Sequence, residues 1–303
     1  MRKPLQFLIM LLTFFMGTAA GHLEAKMKVV TTMSTFADLA KTIGGEYVDV
    51  AYIAAPRFNP HFIEAKPSDV LKVKRADLFV HAGLDLEAWR WPLVDATGNA
   101  DVRPGGSKEL DLSRGIRILE VPTAPLTRAA GDIHIYGNPH YWVNPENGKI
   151  MAQTICDKLS EMQPEYADYF HRNLKNFLDR MDQKISEWKM LVKPHAGQEF
   201  IAYHNEWVYL MDFSGFKIEV FLEPKPGIPP TPAQVQLVET RIREKGIKGI
   251  IHSDYFPRNA PDAIAGRTGV KVITLCQNIG ELPEAKDYIA MVDYDIHQLA
   301  GVL

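Results

Sequence analysis

Short apolar runs and longer segments with apolar residues at every third or fourth position take turns along most of this chain. The first rhythm marks buried strands, the second one-sided helices. Residues 28–32 predict a strand. Ser34 then caps a helix through Phe36, Leu39 and Ile43, stopped by Gly44-Gly45. A strand over 48–54 runs into Pro56-Arg57-Phe58-Asn59-Pro60-His61, a loop stiffened by two prolines. A helix over 70–75, opened by Pro67-Ser68-Asp69, a strand over 76–81, a helix over 84–91 and a strand over 116–119 complete the first half. The rhythm restarts after Pro194. Strands over 199–203, 218–222, 247–252 and 270–275 alternate with helices over 207–213, 232–245 and 261–268, and a helix over 287–299 closes the chain. This alternation predicts βαβ units and a parallel sheet in each half, an α/β fold.

Between the halves the pattern changes. Tyr166, Tyr169, Phe170, Phe177, Met181, Ile185, Trp188 and Val192 form one apolar stripe, with no Gly or Pro between Glu165 and Lys193. At 1.5 Å per residue such a helix runs roughly 40 Å, enough to cross from one domain to another. The expected organisation is therefore an N-terminal α/β lobe over 26–163, a linking backbone helix over 164–193 and a C-terminal α/β lobe over 194–303, after a processed segment over 1–25.

That segment has the form of a signal peptide. Arg2 and Lys3 precede a nearly unbroken apolar stretch over 5–16, too short to span a bilayer, and cleavage is expected after Ala20 or Ala25. No cysteine lies near the cleavage region, which argues against a lipid anchor. The mature chain is expected to be exported and free in a periplasm-like space. About 278 residues remain, a length that suits two ordinary domains. The formal charge of −3 becomes −5 once Arg2 and Lys3 are removed. A mildly acidic chain does not suit nucleic acid, which needs a basic face. Cys156 and Cys276 lie far apart and have no C-x-x-C spacing, so two buried free thiols are expected.

Three histidines beside aromatics carry the candidate chemistry. Gly137-Asn138-Pro139-His140-Tyr141-Trp142-Val143-Asn144-Pro145 is echoed by Asn59-Pro60-His61-Phe62, and Tyr203-His204-Asn205-Glu206-Trp207 supplies a third. One histidine among ten is ordinarily structural or exposed. Here, however, His61 and His204 each follow a strand, and His140 lies in the long connection after another. Parallel sheets bind ligands beyond the carboxyl ends of their strands. Three neutral imidazoles suit zinc. Proline beside His61 and His140 lowers the entropy cost of holding the loops. Asn144, Glu64 and Asp69 are candidates to hold the second ring nitrogens. His134, six residues before His140, is close enough to help capture metal, whereas His81, His171, His195 and His297 read as structural or exposed, and His22 is lost if the leader is cut beyond it.

These motifs resemble those of the zinc- and manganese-binding ABC-transporter substrate-binding proteins, the helical-backbone metal receptors, over nearly the whole mature chain. Asn59-Pro60-His61 with Lys66-Pro67-Ser68-Asp69 resembles the first ligand motif of that family. Gly137-Asn138-Pro139-His140-Tyr141-Trp142 resembles the second, although Val143-Asn144-Pro145 stands where Leu-Asp-Pro is usual. Tyr203-His204 resembles the third, and Glu223-Pro224-Lys225-Pro226-Gly227 the proline-rich loop of the second domain. The resemblance implies a monomeric receptor that takes Zn²⁺, with Mn²⁺ as the alternative ion, and passes it to the membrane permease of an ABC transporter. It also implies little domain movement. Members often place an aspartate after the last strand as fourth ligand, but Leu275-Cys276-Gln277-Asn278-Ile279-Gly280 has no carboxylate. Asp254 is the preferred substitute; His252, Gln277 and water are the others.

Two other classes use the same residues. A zinc hydrolase also has three protein ligands and a water, but the chain has no H-E-x-x-H helix, and Glu206, two residues past His204, is the acid closest in sequence to a proposed ligand, with no evident placement as a general base. A metal-dependent adhesin is compatible with the fold; the absent lipid-anchor cysteine counts against it.

Overall fold

The computed structural model describes residues 25–123, 134–225 and 227–303. Nearly all of the expected signal peptide, the Gly131-Asp132-Ile133 run before His134, and Pro226 lie outside the described residues.

Two four-stranded parallel sheets dominate. One runs β2-β1-β3-β4, built from β1 (Met27–Thr31), β2 (Val48–Tyr52), β3 (Leu78–His81) and β4 (Glu109–Asp111). The other runs β6-β5-β7-β8, from β5 (Glu199–Ala202), β6 (Lys217–Phe221), β7 (Gly249–Ser253) and β8 (Lys271–Leu275). Every residue of β3 and of β7 is buried, as befits central strands covered on both faces. Helices α1 (Ser34–Gly44), α2 (Pro67–Lys74), α3 (Arg90–Thr97) and α4 (Pro145–Met162) belong to the first half. Helices α6 (Val208–Ser214), α7 (Pro232–Lys245), α8 (Asn259–Thr268) and α9 (Tyr288–Ala300) belong to the second, and α5 (Ala167–Val192) lies between.

Three elements of the expected order need correction. The fourth strand is Glu109–Asp111, paired with Phe79–His81, and residues 116–119 form none. That apolar stretch instead ties the halves together: Leu119 N donates to Tyr209 Oη at 2.9 Å, and Leu119 O accepts from Asn138 N at 2.9 Å. The third helix starts at Arg90 rather than Leu84. Leu84 has φ 50°, which no α-helix accommodates, while Pro92 sits in the first turn, where its missing N–H is not needed. Helix α4 was not expected at all. Its signal was present: Pro145 occupies the first turn and Asn144 Oδ1 accepts from Glu146 N at 2.9 Å.

Helix α5 has 26 residues, about 39 Å at the usual rise. It buries Phe170, Leu174, Phe177, Met181, Ile185, Trp188 and Val192 on one stripe, against α1, α4 and α9. One apolar cluster runs through Phe36, Trp142, Phe177, Trp188, Leu275 and Tyr288, so the core is continuous across both halves. Tyr288 is the cross-tie. Its Oη donates to Trp142 O at 2.7 Å, and its N donates to Asp38 Oδ2 at 2.9 Å. Gly148 makes room for it, since a Cβ there would lie 2.3 Å from the Tyr288 ring. Ser34, expected as a cap, instead donates its hydroxyl to Ile279 O at 2.9 Å, and Thr35 does the same to Gln277 O at 3.0 Å. Cys156 and Cys276 are free and buried. Among the described residues, no helix is long and apolar enough to cross a membrane.

Candidate metal site

The repeated Asn-Pro-His motif has one local cause. Asn59 Oδ1 accepts from His61 N at 3.0 Å, and Asn138 Oδ1 accepts from His140 N at 3.0 Å. Each asparagine thus closes a turn on its own histidine, with the proline between limiting the backbone. Trp89 Nε1 donates to Pro60 O at 2.8 Å and pins the first loop. The second is pinned across the halves by Asn138 Nδ2, which donates to Asn205 O at 2.9 Å. His204 lies two residues past the end of β5.

The three imidazoles converge. Their nearest ligand nitrogens all lie within 4.8 Å of one another. His61 Nε2 and His140 Nε2 are 3.1 Å apart. Ring centroids are separated by 5.0 Å for His61 and His140, 5.6 Å for His61 and His204, and 5.8 Å for His140 and His204. His140 and His204 are buried, and His61 is half-buried. Burial, then the imidazoles around them, hold His61 and His140 well below the usual histidine range, so both rings are neutral at neutral pH. Neutral imidazole is the form that binds metal.

The outer nitrogens are held too. His204 Nδ1 donates to Glu223 Oε2 at 2.8 Å, and His140 Nδ1 faces Gln277 Oε1 at 3.2 Å. A carboxylate or amide oxygen on Nδ1–H leaves the Nε2 lone pair for an ion. Of the predicted holders, Asn144 caps α4, Asp69 caps α2 by accepting from Lys66 N at 3.0 Å, and Glu64 is exposed. Glu223 was missed, though its place just past β6, beside the strand that delivers His204, could have pointed to it.

Of the four residues expected to ligate, the structure brings together His61, His140 and His204. Asp254 is not in the group. Its carboxylate accepts from Arg57 Nε at 2.7 Å and lies 2.5 Å from Arg57 Nη2, because the charged guanidinium on the His61 loop is the nearer partner. His252 Nε2 donates to Phe256 O at 2.9 Å within the turn after β7. Gln277 supports His140 rather than standing beside it. Glu206 is buried and pushed up by that burial; it is bound to Ser253 Oγ and to Tyr255 Oη, the latter at 2.6 Å, which leaves it no role as a base at His204. His81 is structural, paired with Glu109 at 2.8 Å, and His171 and His297 are exposed. Beside His61 and His204 the free space is about 20 Å³, room for an ion or a single water and not for an organic substrate.

Two parallel sheets on a shared long helix, with imidazoles from both halves meeting between them, define a receptor for a metal ion. The chain belongs to the family of the periplasmic zinc-uptake complex component A, whose model matches residues 29–302. That family consists of solute-binding receptors rather than enzymes, and the chain is a metal-binding substrate-binding protein of the ABC-transporter type. The manganese ABC transporter substrate-binding lipoprotein PsaA of Streptococcus mitis is 26% identical over 298 residues, covering 93% of this chain and 92% of its own. The iron-binding protein YfeA of Yersinia pestis is 25% identical over 316 residues, covering 99% and 96%. A crystal structure of ZnuA shares the fold with a TM-score of 0.78 at 21% identity, covering 92% of this chain and 99% of its own.

Proposed function

We propose that this chain captures Zn²⁺ between its two halves, on His61, His140 and His204, and delivers it to the permease of an ABC transporter. The observation that carries this reading is the convergence of three imidazole nitrogens, from loops of both sheets, within 4.8 Å of one another. An all-nitrogen set favours zinc over manganese and ferrous iron, which sit lower in the affinity order and take more oxygen. The names of the relatives include manganese and iron, so the donor set is the argument for zinc. The receptor works as an exported, periplasmic monomer, in line with the periplasmic name of its family. Its lobes, 26–163 and 194–303, move little on the helix between them, because one apolar core runs through both.

Chelator-stripped protein is expected to take up one Zn²⁺ per chain, and His140→Ala to lose most of it. Unchanged zinc stoichiometry in the triple alanine variant of His61, His140 and His204 would overturn the reading.

A further inference from the structure

His134 stands next to the three-histidine group and is not one of its members. Its side chain is 14% exposed. Nδ1 donates to Asp85 Oδ1 at 2.7 Å, and the other oxygen of that carboxylate accepts from Ile135 N at 2.8 Å. Asp85 thus grips both the ring and the backbone that follows it. Nε2 is buried and has no hydrogen-bond partner. A buried imidazole nitrogen without a partner is costly, and in native proteins such a group commonly has a ligand or catalytic reason.

The ring lies beside two of the three imidazoles. It stacks on His61 with centroids 5.0 Å apart at 26°, and it is 6.2 Å from His140. Imidazoles on one tetrahedral zinc, with Zn–N about 2.0–2.1 Å, have ring centroids about 5 Å apart. The carboxylate on Nδ1–H leaves the Nε2 lone pair available to an ion, as Glu223 does for His204. The acid preferred from the sequence, Asp254, is held by Arg57.

We propose that His134 is the fourth ligand of the cargo ion, drawn inward onto it and oriented by Asp85. This rests on the metal-receptor reading above. A four-imidazole site is closed and tetrahedral, which suits zinc and disfavours the oxygen-rich, higher-coordinate ions.

Zinc-edge X-ray absorption on the full chain loaded with one equivalent of Zn²⁺ decides it. Four imidazoles are expected in the wild type. His134→Ala should show three imidazoles and one oxygen without outer-shell ring scattering, at unchanged stoichiometry and with affinity lower by at least about tenfold in chelator competition. Asp85→Asn should keep four imidazoles and weaken binding less. The zinc-over-manganese preference should narrow in His134→Ala. Equal melting temperatures of the metal-free proteins establish that the variant folds, with His134→Gln as the substitute if it does not. Three imidazoles in the wild type, or a His134→Ala spectrum identical to it, overturns the proposal and leaves the three-histidine receptor standing. A wild-type chain that takes up no zinc overturns both.

Discussion

His61 Nε2 and His140 Nε2 stand 3.1 Å apart although 79 residues separate them. Two neutral imidazoles so close can share one hydrogen bond, or both can turn their lone pairs to one cation. What makes the second use available is burial, which keeps protons off both rings.

The first prediction follows from that. The free energy of binding includes no deprotonation of these two rings until the pH falls well below the ordinary histidine value of 6.5. An ordinary histidine would lose about fourfold in apparent affinity at pH 6 for each ligand. Zinc affinity by chelator competition should therefore fall less between pH 7.5 and 6 than a site of ordinary histidines would, because His61 and His140 add nothing to the loss until more acid solution. The sign for folding agrees: below 6.5 the unfolded chain takes up protons that the native rings refuse, so these two groups lower stability as the pH drops toward their depressed values.

Glu223→Gln should weaken zinc binding about 10–100-fold, the usual effect of losing a partner that fixes a ligand's tautomer. His204 Nδ1 loses its charged acceptor, while the metal-free melting temperature changes little. Isothermal titration with a competing chelator measures the first effect and calorimetry the second.

Asp254→Ala distinguishes a ligand from a surface partner. The Arg57–Asp254 pair is exposed, at 65% and 27%, so its loss should cost less than about 1 kcal/mol of stability. Zinc stoichiometry should stay at one and affinity should shift less than about tenfold; a loss comparable to that of His140→Ala would restore Asp254 as a ligand.

Glu281 should make stability depend on pH in the opposite direction to the histidines. Burial pushes it up to about 8, against the hydrogen bonds it accepts from Gln277 N and Asn278 N. Between about 4.5 and 8 the native carboxyl keeps a proton that the unfolded chain has lost, so this group's contribution falls as the pH rises through that window. Glu281→Gln should remove a stability loss on the order of a few kcal/mol between pH 5 and 8, measured by urea unfolding at each pH.

Gly148→Ala should destabilise the chain by about 1–3 kcal/mol, even though alanine is the better helix former. The added methyl meets the Tyr288 ring at 2.3 Å, where α9 is locked to α4. Denaturant unfolding of the metal-free protein checks it.

How much was legible beforehand follows from how local each cause is. The strand–helix alternation, the unbroken stripe through Phe170, Phe177 and Trp188, and the three histidines are patterns of neighbours or of fixed period, and sequence carries those directly. Leu110 and Ile116 show the limit. Ile116 lies in an apolar stretch whereas Leu110 stands between Glu109 and Asp111, and only the pairing of 109–111 with β3 makes the more polar segment the strand. Leu84 reads as a helix start from its residue pattern, and its φ of 50° is a backbone angle that residue order does not show.

The same division holds at the site. Sequence by itself determined the fold class, the long helix and the residues that bring imidazole to the cleft, because Asn-Pro-His builds its own turn at His61 and at His140. Tertiary structure alone decided which groups stand around those rings. Glu223 faces His204 because β6 lies beside β5, Gln277 reaches His140 across 137 residues, Arg57 claims Asp254, and Asp85 holds His134 against His61. Those partnerships are distances between segments far apart in the chain, and such distances are set only when the sheets, α5 and the shared core have packed.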